Sequence, residues 1–585
     1  MRLAPIDWAI VALFLAASLA AGVWASRRAS RDAESYFLSG RRMPWWLLGF
    51  SMVATTFSTD TPNLVTDIVR RGGVAGNWSW WAFLLTGMLT VFVYAALWRR
   101  TGVTTDVEFY ELRYGGRPGA LLRGFRALYL GVLVNVLIMA SVHLAAIKIG
   151  GVMLGLGPVP TLLVAGVVTV IFTSLGGLLG VLVTDFVLFI AALSGAVVAA
   201  VVALRHPDVG GLSGLLSHAS VRGRLAFFPE PGSAEMVTLL VVPLGVQWWS
   251  TWYPGSEPGG GGYVAQRMLA AKDERHAVLA TLFFNAAHYA LRPWPWIVVA
   301  LASVVVYPDT ASLARAFPGV DPSVVRDDMA YPAMLTLLGP GALGFVVASL
   351  VAAYMSTIST HLNWGASYVV KDFYERFVRK EASARELVLV GRVATVLMLV
   401  LSALVALSLH SALDAFELLL HVGAGTGLLF ILRWFWWRIN AYSELAAMLA
   451  SAGVALWLRV APPAGLPAWA TLVVGVGVTT VAWVGVTLVT PPSSDDTLCA
   501  FYRKARPGGP GWARVRASLE ARGQAEPEPA WPVPLGLTRA ALAVLSVYCA
   551  LFTIGSVLYG RWALAVGLAV VCASGAAALR RLRVV

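Results

Sequence analysis

Long apolar runs separated by short polar stretches dominate this sequence, and most are near the ~20 residues that cross a bilayer as a helix. The first run, Ile6 to Trp24, predicts a retained helix: no small-residue cleavage pattern follows it, and more runs do. Further spans are predicted near 45–69, 77–97, 127–149, 160–180, 184–204, 236–254, 277–306, 337–364, 387–409, 412–433, 442–460, 467–489, 536–558 and 562–579, fifteen in all. Arg27, Arg28, Arg31, Arg41 and Arg42 follow the first span, which predicts a cytoplasmic loop and an outside N-terminus. An odd span count then puts the C-terminus inside, where Arg580, Arg581 and Arg583 agree, as do the basic stretches 98–126 and 491–534. Arg70 and Arg71 break the bias.

Composition sharpens this picture. Of 585 residues, 58% are hydrophobic and 13% charged, which is outside the range of soluble globular chains. The net charge of +13 lies between apolar runs, as membrane topology requires, and predicts no nucleic-acid partner. Cys499, Cys549 and Cys572 form neither a disulfide framework nor a metal-binding pair. The expected organisation is a leading helix (1–30), a transport core (45–435), accessory helices (440–490), a linker (491–534) and a terminal helix pair (535–585). The linker, polar and rich in Pro and Gly, reads as cytoplasmic and partly disordered. The remaining long polar stretches are 205–235 and 307–336, and none reads as a soluble catalytic domain.

Two spans are flawed. In the second, apolar patterning stops at Ser58-Thr59-Asp60-Thr61-Pro62-Asn63 and then resumes; Pro62 has no N–H to donate, and Thr and Asp offer the backbone local alternatives. In the seventh, it breaks at Trp252-Tyr253-Pro254-Gly255-Ser256-Glu257-Pro258, before four glycines. Non-helical backbone at membrane depth must line a protein or water cavity. Interruptions at matching places in two halves point to an inverted-repeat transporter, here in the first and sixth helices of a ten-helix core. The bland alternative is a proline kink and an ordinary loop.

These residues resemble those of the sodium:solute symporter family, which includes sodium–sugar and sodium–proline symporters. Tyr36-Phe37-Leu38-Ser39-Gly40-Arg41 with Trp45-Trp46 is similar to the family's entry to the first core helix. Leu175-Gly176-Gly177-Leu178 with Thr184-Asp185, Gln266-Arg267 with Ala270-Ala271-Lys272, and Ala353-Tyr354-Met355-Ser356-Thr357 with Lys371-Asp372-Phe373-Tyr374 resemble later motifs, in order. The resemblance covers roughly residues 6–440. It implies an all-α polytopic protein of the plasma (cytoplasmic) membrane, with a five-plus-five inverted repeat of the leucine-transporter type.

It also implies a sodium site. Aligned on 51–58 and 353–357, the ligands would be the carbonyls of Ala54, Phe57 and Ala353 and the hydroxyls of Ser356 and Thr357. Taken singly, such hydroxyls commonly bond back to their own helix. Asp185 is either a sodium stop on the exit path or a compensator of a helix N-terminus. Asp60 is a carboxylate at membrane depth that would gate, pair with a cation or bind a proton.

For the solute, the chain departs from sugar-transporting relatives. Thr61 stands where they carry Gln, Trp80-Trp81 where they carry Glu-Trp, His288 where they carry Lys, and Glu417 near their tenth-helix Gln. With Thr56, Trp252 and Tyr253, these predict an aromatic-walled cavity anchored by His288, Arg292 and Glu417. Arg292 suits a carboxylate; alternatively it is glue, paired with Glu417 or Asp60, and His288 is a satisfied core histidine. The leading function is sodium-coupled import of a small organic solute, whether sugar, amino acid or carboxylate. A sensor or a channel is the alternative; a membrane enzyme lacks His-Glu-x-x-His, Gly-x-Ser-x-Gly or a Cys/His cluster.

Overall fold

The computed structural model describes residues 3–29, 38–56, 58–173, 178–251, 257–423, 425–461, 463, 465–524 and 531–582. Among these the chain is helical; its only extended pairing is one parallel bridge, Met43 to Ala271. The main helices are α1 (Pro5–Ala29), α2 (Trp45–Thr56), α3 (Asp60–Gly72), α4 (Val74–Thr101), α5 (Gly116–Leu154), α6 (Pro158–Thr173) and α7 (Leu178–Leu204). Then come α8 (Ala234–Gly245), α9 (Gly262–Ala270), α10 (Glu274–Val306), α11 (Ala342–Val378), α12 (Ala384–Ala406), α13 (Ala412–Gly423) and α14 (Gly427–Leu432). The last are α15 (Ala441–Val460), α16 (Ala468–Val489), α17 (Asp495–Ala505), α18 (Ala513–Ala521), α19 (Val533–Leu558) and α20 (Trp562–Arg581). Ten helices among the described residues are long and apolar enough to cross a membrane; three more apolar helices are shorter.

The ten do not coincide one for one with the fifteen predicted spans, because proline and glycine divide some spans into half-helices. The predicted 45–69 span is α2 and α3, and 412–433 is α13 and α14. Pro62 sits in the first turn of α3, where a missing N–H costs nothing. Before α9 the glycine run turns the chain: Gly259 and Gly260 take φ of +86° and +82°. Gly262 N then donates to Asp106 Oδ2 at 2.7 Å.

α2 packs against α7, α10 and α11, and α3 against α5, α10 and α13. α1 docks on the start of α11, where buried Asp7 accepts from Gly341 N (2.7 Å) and Gly344 N (2.8 Å). Arg70 and Arg71 are held by ion pairs: Arg70 Nε to Asp327 at 2.8 Å, Arg71 Nε to Asp67 at 2.6 Å. That pairing accounts for two arginines where the charge bias predicts none.

The 491–534 stretch, expected to be partly disordered, carries α17 and α18 among its described residues. α17 buries Leu498, Phe501 and Tyr502, α18 buries Val515 and Leu519, and Trp512, just before α18, is buried with them. Trp512 Nε1 donates to Trp434 O at 2.8 Å, and the Arg113 guanidinium lies 4.9 Å from the Trp512 ring centre. Nearby, Arg126 pairs with Glu257 at 2.8 Å, and Arg433 approaches Glu444 at 3.4 Å, all four fully or almost fully buried. Residues 525–530 lie outside the described residues.

Candidate functional site

The interruption between α2 and α3 organises the site. The last four carbonyls of any helix lack intrahelical partners. In α2, Val53 O accepts from Arg292 Nη1 at 2.9 Å and Thr55 O from Thr357 Oγ1 at 3.3 Å. On α11, Ala353, Ser356, Thr357 and Thr360 recur at helical spacing on one buried face. Thr360 Oγ1, and Thr59 Oγ1 in the break, are buried with no hydrogen-bond partner among the described residues. Oxygen-only donors of this kind suit a hard cation such as sodium. Phe57, a predicted carbonyl ligand, lies outside the described residues.

Asp185 stands at this face. Its two oxygens accept from Ser356 Oγ (2.5 Å) and Ser51 Oγ (2.7 Å), and it is fully buried. Arg267, of the Gln-Arg motif, donates Nε and Nη2 to Ser51 Oγ at 3.3 Å each. The helix-terminus reading of Asp185 is corrected here. Asp185 lies well inside α7, which begins at Leu178, and a helix dipole acts only within the first turn.

On the other side of the break is a central cavity of about 40 Å³. Thr56, Asp60, Thr61, Trp80 and His288 line it, so five predicted residues converge. Ser141 Oγ donates to Asp60 Oδ2 at 2.9 Å, and Phe416 closes one wall. Trp80 is fixed by its Nε1 bond to Asn77 Oδ1 (2.8 Å) and by stacking on Tyr289. A second small cavity adjoins it, also lined by Thr56 and His288, with Glu257, Tyr263 and Asn285. Tyr263 Oη and Thr56 Oγ1 are 2.8 Å apart there. A vestibule of about 600 Å³ lies beyond Phe416, which lines both spaces.

Two predicted anchors are elsewhere. Glu417 lines the vestibule and not the central cavity, because on α13 it points away from the face carrying Phe416 and Leu419 inward. Arg292 lines neither small cavity: its guanidinium reaches Val53 O and His288 Nδ1 (2.8 Å) instead. Trp252 and Tyr253 lie outside the described residues. Ser51, Ser141, Tyr263 and Phe416 join the site without any mark in the sequence beyond a polar or aromatic residue in an apolar helix.

The family model for the sodium:solute symporter family matches residues 36–451. The chain belongs to that family. As a member it is an integral, multi-pass membrane protein whose partners are sodium and a small solute. α16 to α20 lie beyond the matched region. Among curated family members, it is 26% identical over 476 residues to the sodium/glucose cotransporter of Vibrio parahaemolyticus, covering 78% of this chain and 86% of that protein. It is 26% identical to the sodium/mannose cotransporter of Bos taurus (80% and 82% covered) and 28% identical to sodium/myo-inositol cotransporter 2 of Bos taurus (74% and 67%). The fold is shared with a sodium-coupled sialic acid symporter solved in a substrate-bound, outward-open state: TM-score 0.65, 21% identity, 84% of this chain and 99% of that one covered.

Proposed function

We propose that the chain imports a small polyhydroxylated solute on the sodium gradient by alternating access, through a five-plus-five inverted-repeat core of a fifteen-span protein with its N-terminus outside. One observation carries this reading: the broken α2–α3 helix turns one side to the hydroxyl face of α11 and the other to the central cavity. Sodium is held by the carbonyls of Ala54, Phe57 and Ala353 and the hydroxyls of Ser356 and Thr357, and Asp185 receives it on the way in. The solute meets Thr56, Asp60, Thr61, Trp80 and His288. A carboxylate, hydroxyls and a flat indole suit the hydroxyls and apolar face of a sugar or cyclitol, and the curated relatives are named for such solutes. That Arg292 donates to Val53 O supports a solute without a carboxylate.

A panel of D-glucose, D-mannose, myo-inositol, proline and succinate, screened for sodium-dependent thermal stabilisation, tests the reading. Stabilisation by a polyol that needs sodium and is not replaced by potassium is expected. Counterflow in vesicles then separates a carrier from a channel. Polyol uptake equal in sodium and choline would refute sodium coupling.

A further inference from the structure

We propose that Arg292 is a positioning residue that ties the ion-binding end of α2 to the solute-facing His288. This rests on the symport reading above and deepens it.

α10 widens into a π-turn at Ala287–Leu291, and Pro293 follows. Such single-turn π segments re-aim side chains and are frequent at functional sites. Here Arg292 and His288 lie side by side, both buried. Arg292 Nη1 donates to Val53 O at 2.9 Å, Nη2 lies 2.8 Å from His288 Nδ1, and the guanidinium sits over the Trp296 ring at 5.2 Å. A guanidinium has donors only, so Nδ1 accepts, and a neutral His288 carries its proton on Nε2. The imidazole lines both small cavities, while Val53 precedes Ala54, a proposed sodium ligand.

The two arms of an arginine are coplanar and rigid relative to each other. When sodium draws in the end of α2, Val53 O moves, the guanidinium follows, and the imidazole is re-aimed at the solute. Solute on His288 acts back along the same path, as linkage requires. Lysine keeps the charge but, as a single flexible point donor, cannot hold both partners in fixed relation.

The test uses the full-length protein in lipid nanodiscs. The coupling factor is the half-saturating concentration of D-glucose or myo-inositol in choline divided by that in sodium. Wild type should show a factor in the range of about 5 to 150. Arg292→Lys should bring it close to one while binding sodium alone and solute alone nearly as wild type does. Two histidine variants decide the matter even if Arg292→Lys does not fold. The Asn amide oxygen of His288→Asn stands near Nδ1 and keeps the Arg292 bond, so coupling survives while solute binds more weakly. The Gln amide of His288→Gln reaches the Nε2 position but leaves nothing at Nδ1 to accept from Arg292, so the coupling factor should fall close to one whatever its solute affinity. Full coupling in Arg292→Lys or His288→Gln overturns the proposal and leaves the symport reading standing. So does a parallel loss of both affinities and of thermal stability in all variants, the signature of a merely structural arginine. A wild type whose binding of both solutes ignores sodium defeats the symport reading itself, and the proposal with it.

Discussion

Ser356 donates to Asp185 in this structure, yet its oxygen also stands on the face that holds the proposed sodium ligands. A hydroxyl can do both, giving its proton to the carboxylate and a lone pair to the ion. Ser356→Ala and Thr357→Ala each delete one proposed ligand from a helix that tolerates alanine. We expect sodium half-saturation to rise about tenfold or more in each, equivalent to about 1.4 kcal/mol, with expression maintained. Sodium titrations of thermal stability check this; an unchanged midpoint in both variants removes the two hydroxyls from the site. At this scale the sequence was legible where a helix failed. The break at 58–63 pointed to Thr56, Asp60 and Thr61, and they do line the cavity. Ser141 was not legible. Its hydroxyl bonds to Ile138 O as well as to Asp60, and a lone serine in an apolar helix looks the same whether it serves its own backbone or a site.

Among the elements, α13 and α14 seat the chain that follows α8. Thr251 N donates to Gly423 O at 3.3 Å. A Cβ on Gly423 would lie 1.9 Å from Thr251 O, and one on Gly427 would lie 1.7 Å from Trp249 O. Backbone therefore packs on backbone, where nothing flexible can yield. Gly427→Ala should destabilise by about 1–3 kcal/mol, the usual cost of overpacking, and should impair transport beyond its loss of stability. Thermal unfolding with uptake per folded molecule measures both. The glycine run before α9 was readable, while residues 252–256 lie outside the described residues; the seat in α13–α14 was not, since small residues also fill ordinary membrane-helix contacts. Composition misled for α17 and α18. A polar segment with few apolar residues reads as linker, but those few fall at 498, 501, 502 and 512 and all become buried. Trp512→Ala removes a fully buried indole and its bond to Trp434 O. A loss of about 3–5 kcal/mol is expected, seen as a lower unfolding temperature; a surface linker would show no change.

For the whole molecule, symport of a neutral polyol with sodium carries net positive charge. Uptake should then be favoured by a negative interior, by about 2.3 kcal/mol per charge per 100 mV. Vesicles clamped with potassium and valinomycin give the measurement, and voltage-independent uptake would mean a compensating anion or no net charge. That the chain is helical and crosses a membrane many times was the most legible part, because run length reports on the bilayer and not on tertiary detail. The division of spans into half-helices was less so, since only a proline or a glycine run marks it. The two unequal spaces that meet at Phe416, about 40 and about 600 Å³, differ in how much water they can release. A conformation that collapses the vestibule would return its water to bulk. Osmotic pressure from a polymer too large to enter it should pull the protein toward that closed form, so the external solution's water activity becomes a third thermodynamic handle, beside sodium and voltage, on which way the carrier faces.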